Sequence, residues 1–194
     1  MKREFINEQV IGDYKVRTFH DDNVESPREW DNVTTMLCFH NRYNLGDKNP
    51  YNSNEFNGWD EMEQRIKEDY KRYMIKPLYL YDHSGITIST SPFGCNFDSG
   101  QVGFVLIEEK KWKMCMGETE VTIESLDKII ENEVKTYDKY LRGDVYGFEV
   151  VKVTKCDLGH EHEEHVESQW GYYDEDECMS EGLSVVKYYE KELV

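Results

Sequence analysis

The sequence PLYLYDHSGITIS, residues 77–89, predicts the central strands of the fold. Successive side chains of an extended segment point to opposite faces, so the apolar side chains here share one face. They are Leu78, Leu80, Ile86 and Ile88. Residues 102–107, VGFVLI, form a second extended apolar run, and the two are predicted to pair as a hairpin around the loop at residues 91–100. The centre of the chain is therefore predicted to be an antiparallel sheet.

Two helices are predicted on the N-terminal side of this sheet. Residues 26–29, SPRE, supply an N-cap Ser, a Pro at the first helical position and a Glu three residues after the cap. This helix is predicted to run to about His40. Asp60 and Glu63 repeat the capping signal for a second helix, which must end before Pro77 because proline cannot continue it.

Two more helices are predicted on the C-terminal side. Ser125 caps a helix with a long apolar stripe, and Gly143 ends it. A closing helix is expected from about Leu183, with Gly182 marking a break near its start.

Strands and a long loop complete the pattern. Residues 14–19 alternate as a half-buried strand, and residues 145–154 and 166–173 are predicted to pair antiparallel. The acidic residues 157–164 would then be their connecting loop. Residues 41–58 are rich in Asn, Gly, Asp and Pro, which is typical of a loop.

The predicted order, β-α-α-β-β-α-β-β-α, indicates an α+β fold in a single domain spanning residues 1–194. An antiparallel sheet with helices packed over one face is expected. The acidic hairpin loop and the C-terminal helix occupy residues 156–194. Fourteen Tyr and four Trp indicate a folded chain, because disordered chains are poor in large rings.

Half of the charge imbalance lies between residues 156 and 186, which contain ten acidic residues and no Lys or Arg. With a net charge of −17, the chain repels nucleic acid and favours a basic protein partner. A solvated acidic loop without a partner is the alternative. The candidate binding residues combine aromatic rings with these acids: Glu167, Trp170, Tyr172, Tyr173, Asp174, Glu175, Asp176 and Glu177.

The hairpin at residues 82–101 offers an alternative, enzymatic site. His83, Cys95 and Asp98 would act there as base, nucleophile and orienting group of a small hydrolase, because a thiol needs an adjacent base or cation to ionise at neutral pH. The alternative is structural. Asp82, expected on the buried face, would bind the neighbouring loop, and Cys95 would be a small buried hydrophobe.

Two further clusters have both a functional and a structural interpretation. Arg42 and Asp47 belong to a recognition loop for a carboxylate or phosphate, or Arg42 braces the loop by pairing with Asp47 or Asp82. His160, His162 and His165 offer a weak metal site, or adventitious metal affinity on a hairpin tip without supporting residues.

The sequence lacks the motifs of several other classes of protein. The five cysteines contain no CxxC pair, which argues against a disulfide framework or a zinc knuckle. No signal peptide, membrane-spanning run or phosphate-binding loop is recognisable, so a cytoplasmic protein without cofactor or membrane partner is expected. The oligomeric state stays open.

The chain resembles an uncharacterised family of small proteins carried by phages, plasmids and other mobile elements. The resemblance lies in SPREWDN (26–32), FHNRYNLGD (39–47), PLYLYDHSGITIS (77–89), SPFGCNFDSGQVGF (91–104) and TYDKYLRGDVYGF (136–148). It implies an accessory role against host defence. Together with the acidic segment, it predicts a non-enzymatic inhibitor of the anti-CRISPR or antirestriction type, which mimics nucleic acid and occupies a basic host protein.

Overall fold

The computed structural model describes residues 4–95, 97–117 and 120–192. The predicted α+β class and the antiparallel strand pairing are confirmed. The chain forms two compact units: unit 1 comprises Met1–Val24 and Gly143–Val194, and unit 2 comprises Glu25–Arg142. Each unit has its own four-stranded sheet, whereas the sequence predicted one sheet in one domain.

Across the described residues the chain forms eight strands and four α-helices. In chain order they are β1 (Asn7–Ile11), β2 (Tyr14–His20), β3 (Thr34–Cys38), α1 (Trp59–Asp69), β4 (Arg72–Asp82), β5 (Ile86–Ser89), β6 (Ser99–Glu108), α2 (Glu109–Met116), α3 (Ile123–Arg142), β7 (Tyr146–Lys155), β8 (Glu161–Tyr172) and α4 (Glu175–Glu192). None of the described helices is long and apolar enough to cross a membrane.

In unit 1 the strand order is β1-β2-β7-β8, and α4 packs against one face of the sheet. The buried core between them is formed by Tyr14, Val16, Phe148, Val150, Cys178, Met179 and Val186. Gly182 lies within α4, where an added Cβ would be 2.5 Å from Val16 Cγ1. The predicted break at Gly182 is therefore wrong: the glycine lets α4 approach the sheet closely.

In unit 2 the strand order is β3-β6-β4-β5, and helices lie on both faces of the sheet. Ile130 and Val134 of α3 belong to the core on one face, together with Trp112 of α2. Met62 and Ile66 of α1 belong to the core on the other face. The expectation of helices over one face thus describes unit 1 and not unit 2.

The helix predicted from Ser26 to His40 is wrong. Ser26 does cap a turn, but that turn is the 3-10 helix Pro27–Glu29, and β3 follows it. Every residue of β3 is buried, so the strand shows no alternation of apolar and polar residues, and its apolar spacing was compatible with a helix. Two successive β-branched residues, Thr34 and Thr35, favour the strand.

The central strands differ from the predicted hairpin. β4 and β5 form a tight hairpin, and β4 pairs on its other side with β6. Pro77 lies inside β4 opposite Phe104. The second predicted helix, α1, ends at Asp69, well before this proline. β5 pairs with residues 79–82 of β4, at the end of that strand. Among the described strands, β4 therefore has no partner on this side at Pro77, which suits a residue without an N–H to donate.

Three boundaries near the C-terminus also differ. β8 begins at Glu161, so the second half of the acidic segment 157–164, predicted as a loop, is strand. α4 begins at Glu175 rather than near Leu183, and α3 begins at Ile123 rather than after Ser125. The end of α3 before Gly143, which has a φ of +75°, is confirmed.

Candidate functional site

Two irregularities in β8 decide which of its side chains share a face. The pairing with β7 shifts between Val150 and Val151, opposite Glu167 and His165, and shifts again between Tyr146 and Gly147. Each shift adds one residue to β8 and reverses the alternation of its side chains. Residues two apart in sequence on either side of a shift therefore lie on opposite faces of the sheet.

The face of the sheet that α4 covers carries a cluster of carboxylates. Glu167 of β8 and Glu177 and Glu181 of α4 act electrostatically on Tyr172. Burial raises the pKa of the Tyr172 hydroxyl, and the charges of Glu181, Glu177 and Glu167 raise it further. No ion pair of these three carboxylates is found among the described residues. We call Glu167, Tyr172, Glu177 and Glu181 the acidic face.

Part of the acidity at the start of α4 serves the helix itself. Asp174 Oδ1 accepts a hydrogen bond from the Glu177 backbone N–H at 3.1 Å, as an N-cap residue does. Thr18 Oγ1 donates to Glu175 Oε1 at 3.2 Å, and Asp176 is exposed in the first turn. Carboxylates here are stabilised by the helix dipole, so Asp174 and Glu175 have structural roles.

The opposite face of the unit 1 sheet has no described helix of that unit over it, and we call it the open face. Arg17 is central there, with its guanidinium bound by Glu8 and Glu163. Lys15 Nζ lies 3.0 Å from Glu161 and 3.2 Å from Glu163. The hydrogen bonds from Arg17 are the main reason why the pKa of Glu163 falls to about 2. Glu161 and Glu163 are thus neutralised within the fold.

The predicted binding residues are divided between these two faces. Glu167, Tyr172 and Glu177 come together on the acidic face. Trp170, two residues from Tyr172, lies on the open face against Phe19, with ring centroids 6.0 Å apart. Tyr173 is half-buried in the turn before α4. The carboxylate of Glu181 was not among the predicted binding residues, although the helical spacing from Glu177 indicates it.

The three histidines do not converge. His160 lies in the turn between β7 and β8, where its carbonyl accepts the N–H of Cys156. His162 is paired with Thr154 and His165 with Val151, positions three apart on β7, so the two rings lie on opposite faces of the sheet. Among the described residues no group of three or more His, Cys, Asp or Glu side chains is arranged to hold a metal. The three histidines therefore do not form a common site in this structure.

The hairpin residues of unit 2 do come together, around Asp98. Asp98 Oδ2 lies 3.2 Å from His83 Nδ1 and 3.9 Å from Cys95 Sγ. His83 is exposed and Cys95 is half-buried. The His83 ring also stacks on Tyr81, with ring centroids 6.0 Å apart. Asp98 thus lies within reach of both side chains.

The Asn-rich loop is held by two arginines. The Arg42 guanidinium pairs with the Asp82 carboxylate, and both residues line a pocket of about 340 Å³ together with Asp98. Asp47 binds instead to Arg28, with Oδ1 2.9 Å from Nε and Oδ2 2.7 Å from an Nη. Asp47 also accepts the N–H of Met36. Arg42 pairs as the brace interpretation expected, and Asp47 is structural.

Three comparisons with known proteins give no match: no family model, no curated protein and no solved structure is similar to this chain.

Proposed function

We propose that this protein is a non-enzymatic inhibitor whose acidic face binds the basic, nucleic-acid-binding surface of a host defence nuclease, such as a restriction enzyme or a CRISPR effector. The observation that supports the proposal best is the arrangement around Tyr172. Carboxylates from two elements, β8 and α4, act electrostatically on one tyrosine, and none of them has an ion pair among the described residues.

The distribution of charge supports the same proposal. Unit 1 contains 19 acidic and 8 basic residues, so most of the net charge of −17 belongs to the smaller unit. A field of this sign speeds encounter with a basic cleft and competes there with phosphate. An aromatic ring among the carboxylates supplies apolar contact area that the charges alone do not.

The proposed partner also defines where the protein acts. Restriction and CRISPR nucleases meet foreign DNA in the host cytosol, so we place the inhibitor there, without direct contact to nucleic acid or membrane. The resemblance to mobile-element proteins is consistent with this role, since phages and plasmids are the targets of such nucleases. No cofactor is required.

The proposal is tested by DNA cleavage assays with a panel of purified restriction enzymes and CRISPR effectors. Inhibition by the full chain should be competitive with DNA and should decline steeply between low salt and about 0.5 M NaCl. The triple variant Glu167→Gln, Glu177→Gln, Glu181→Gln should inhibit about tenfold less, at about 0.5 kcal/mol for each carboxylate.

The matched control removes three exposed carboxylates from unit 2 with the variant Glu55→Gln, Glu124→Gln, Glu131→Gln. This variant should inhibit as the natural chain does. Equal losses in both triple variants, or inhibition that is independent of salt, would contradict a specific acidic face.

A second candidate function is favoured by the contacts of Asp98. Its carboxylate lies within reach of both His83 and Cys95, so the predicted hydrolase residues form one cluster. In this alternative Cys95 is the nucleophile, His83 the base and Asp98 the group that orients the ring, and the substrate contains an amide or a nucleotide bond.

The reactivity of Cys95 toward iodoacetamide at neutral pH separates the two functions. An activated thiolate should react much faster than Cys115, an exposed thiol of the same chain. The variant Asp98→Asn should then remove the difference. Equal rates at Cys95 and Cys115 would leave the hydrolase without support.

A further inference from the structure

A groove of about 700 Å³ runs along the open face of unit 1. Phe5, Phe19 and Trp170 form its apolar wall, and Arg17, Glu149 and Ser168 are among its polar residues. Its volume lies in the range of small-ligand sites, which are mostly apolar with a few polar groups that fix orientation. Neither proposed function above uses this groove.

The aromatic wall is fixed in place by the sheet. The Trp170 ring lies over Gly147, where an added Cβ would be only 2.0 Å from Trp170 Cε3. Glycine therefore makes the space that the ring occupies. Phe19 is 6 % exposed and holds one side of the indole, while Trp170 remains 38 % exposed. The groove thus presents an aromatic surface that is ordered before any ligand binds.

The charge of the groove favours a cation. Arg17 is already bound by two carboxylates, with Nε 2.5 Å from Glu8 and an Nη 2.7 Å from Glu163. Its cross-strand neighbour Glu149 is half-buried, and no hydrogen bond or ion pair of the Glu149 carboxylate is found among the described residues. Glu161 and Glu163 of the lining are paired with Lys15 and Arg17, so Glu149 is the carboxylate left to attract a cation.

We infer that this groove binds an arginine side chain of the partner, with Glu149 accepting the guanidinium N–H groups and the Trp170 ring stacking on its plane. A guanidinium presents a planar fork that matches one carboxylate and stacks on aromatic rings, whereas a lysine ammonium is a point charge. An anionic ligand is disfavoured by the charge of Glu149. The inference rests on the proposed function, because it assumes a basic partner.

The inference is tested by calorimetric titration of the full chain with two peptides, one of alternating Arg and Gly and one with Lys in place of each Arg. The natural chain should bind the Arg peptide several-fold more tightly. Glu149→Gln should weaken binding of the Arg peptide about tenfold and remove the preference over Lys. Trp170→Leu should remove the preference too, and near-ultraviolet circular dichroism checks that both variants are folded.

Glu131→Gln is the matched control, because it removes one exposed carboxylate that belongs neither to the groove nor to the acidic face, and it should leave the preference for Arg unchanged. If Glu149→Gln and Trp170→Leu bind both peptides as the natural chain does, the groove inference is overturned while the acidic face stands. A groove-dependent preference for Lys would overturn the assignment of arginine. Failure of the natural chain to bind either peptide would overturn the proposed function together with this inference.

Discussion

Gly182 shows how a single residue sets the distance between a helix and its sheet. An added Cβ would lie 2.5 Å from Val16 Cγ1 and 3.2 Å from two atoms of the Phe148 ring. In a solvated helix, replacing Gly by Ala gains about 1 kcal/mol. At this position the contact with the core outweighs that gain, because a packed interior accommodates an extra methyl only by moving its neighbours.

We therefore expect Gly182→Ala to lower the free energy of unfolding of unit 1 by about 1–3 kcal/mol. Ser184→Ala, at an exposed position of the same helix, should be neutral or slightly stabilising. Urea denaturation followed by NMR signals of unit 1 residues measures both. A stabilised Gly182→Ala protein would mean that α4 moves away from the sheet without cost.

The ion pairs of Glu163 predict a pH dependence for unit 1. The pKa of Glu163 falls from 4.5 to about 2 on folding. The contribution of Glu163 to the free energy of unfolding is therefore present above about pH 4.5 and is lost as the pH falls toward 2. Glu163→Gln should lower the free energy of unfolding of unit 1 by about 1 kcal/mol or less at neutral pH, since the side chain is partly exposed. The difference in the free energy of unfolding between this variant and the natural chain should become smaller as the pH falls from 4.5 to 2.

The same NMR-monitored denaturation at several pH values tests this expectation. Glu131→Gln, which removes an exposed carboxylate without an ion pair among the described residues, should show no such change. A difference that stays constant down to pH 2 would indicate that Glu163 supports the fold by packing rather than by its charge.

Trp170 and Tyr172 show that the sequence did not predict on which face of the sheet each aromatic ring lies. Strict alternation places them on one face, but the register shift between Tyr146 and Gly147 places them on opposite faces. A glycine inside a strand is a known sign of such a shift, and Gly171, with a φ of +89°, is that sign here. The residue types of the binding set could be predicted, while its division between two faces could not.

At the scale of elements, α3 gives a second test of local sequence signals. Thr122 N–H donates to Ser125 Oγ at 3.2 Å, and Ser125 N–H donates to Thr122 Oγ1 at 3.1 Å. This reciprocal pair caps the helix three residues earlier than the sequence suggested, because Thr122 rather than Ser125 takes the N-cap position.

Thr122→Ala should lower the free energy of unfolding of unit 2 by about 1 kcal/mol, while Thr122→Ser should retain most of the stability because it keeps the hydroxyl. Thermal denaturation monitored by circular dichroism near 222 nm is the measurement. Identical melting of the two variants would show that the cap contributes nothing.

Element type was predictable where polarity alternates and uncertain where burial is complete. α1 and α3 have one apolar stripe each, and their existence follows from the sequence. β3 is buried along its whole length, so nothing in its apolar spacing separates strand from helix. Its identity comes from pairing with β6, which is distant in sequence and beyond any local signal.

At the scale of the whole molecule, unit 2 is continuous in sequence and unit 1 is not. Unit 2 contains two core clusters, one on each face of its sheet, and needs no residue of unit 1 to complete its strand order. These are the properties of a chain segment that folds alone.

We expect a fragment of residues 25–142 to fold cooperatively, with circular dichroism of mixed helix and strand and a single thermal transition. A fragment of residues 143–194 is the control and should be unfolded, because β1 and β2 complete its sheet. A disordered fragment 25–142 would show that the two units depend on each other for stability.

The candidate sites follow the same division between local and distant information. His83, Cys95 and Asp98 lie close in sequence, and their proximity could be predicted from one hairpin. The groove on the open face could not, because Phe19 and Trp170 are far apart in the chain and meet only through the pairing of β2, β7 and β8. The acidic composition indicated a charged surface but not which carboxylates the fold neutralises.

The interrupted sequence of unit 1 has a consequence for synthesis on the ribosome. β1 and β2 emerge first, but their partner β7 is translated only after the whole of unit 2. At roughly 5–20 residues per second, the nascent hairpin waits several seconds with one edge unpaired, while the intervening segment already has everything its own sheet needs. β8 is the last strand to be translated, and it forms the edge of the sheet. The carboxylates along β8 discourage this edge from pairing with a neighbouring nascent chain.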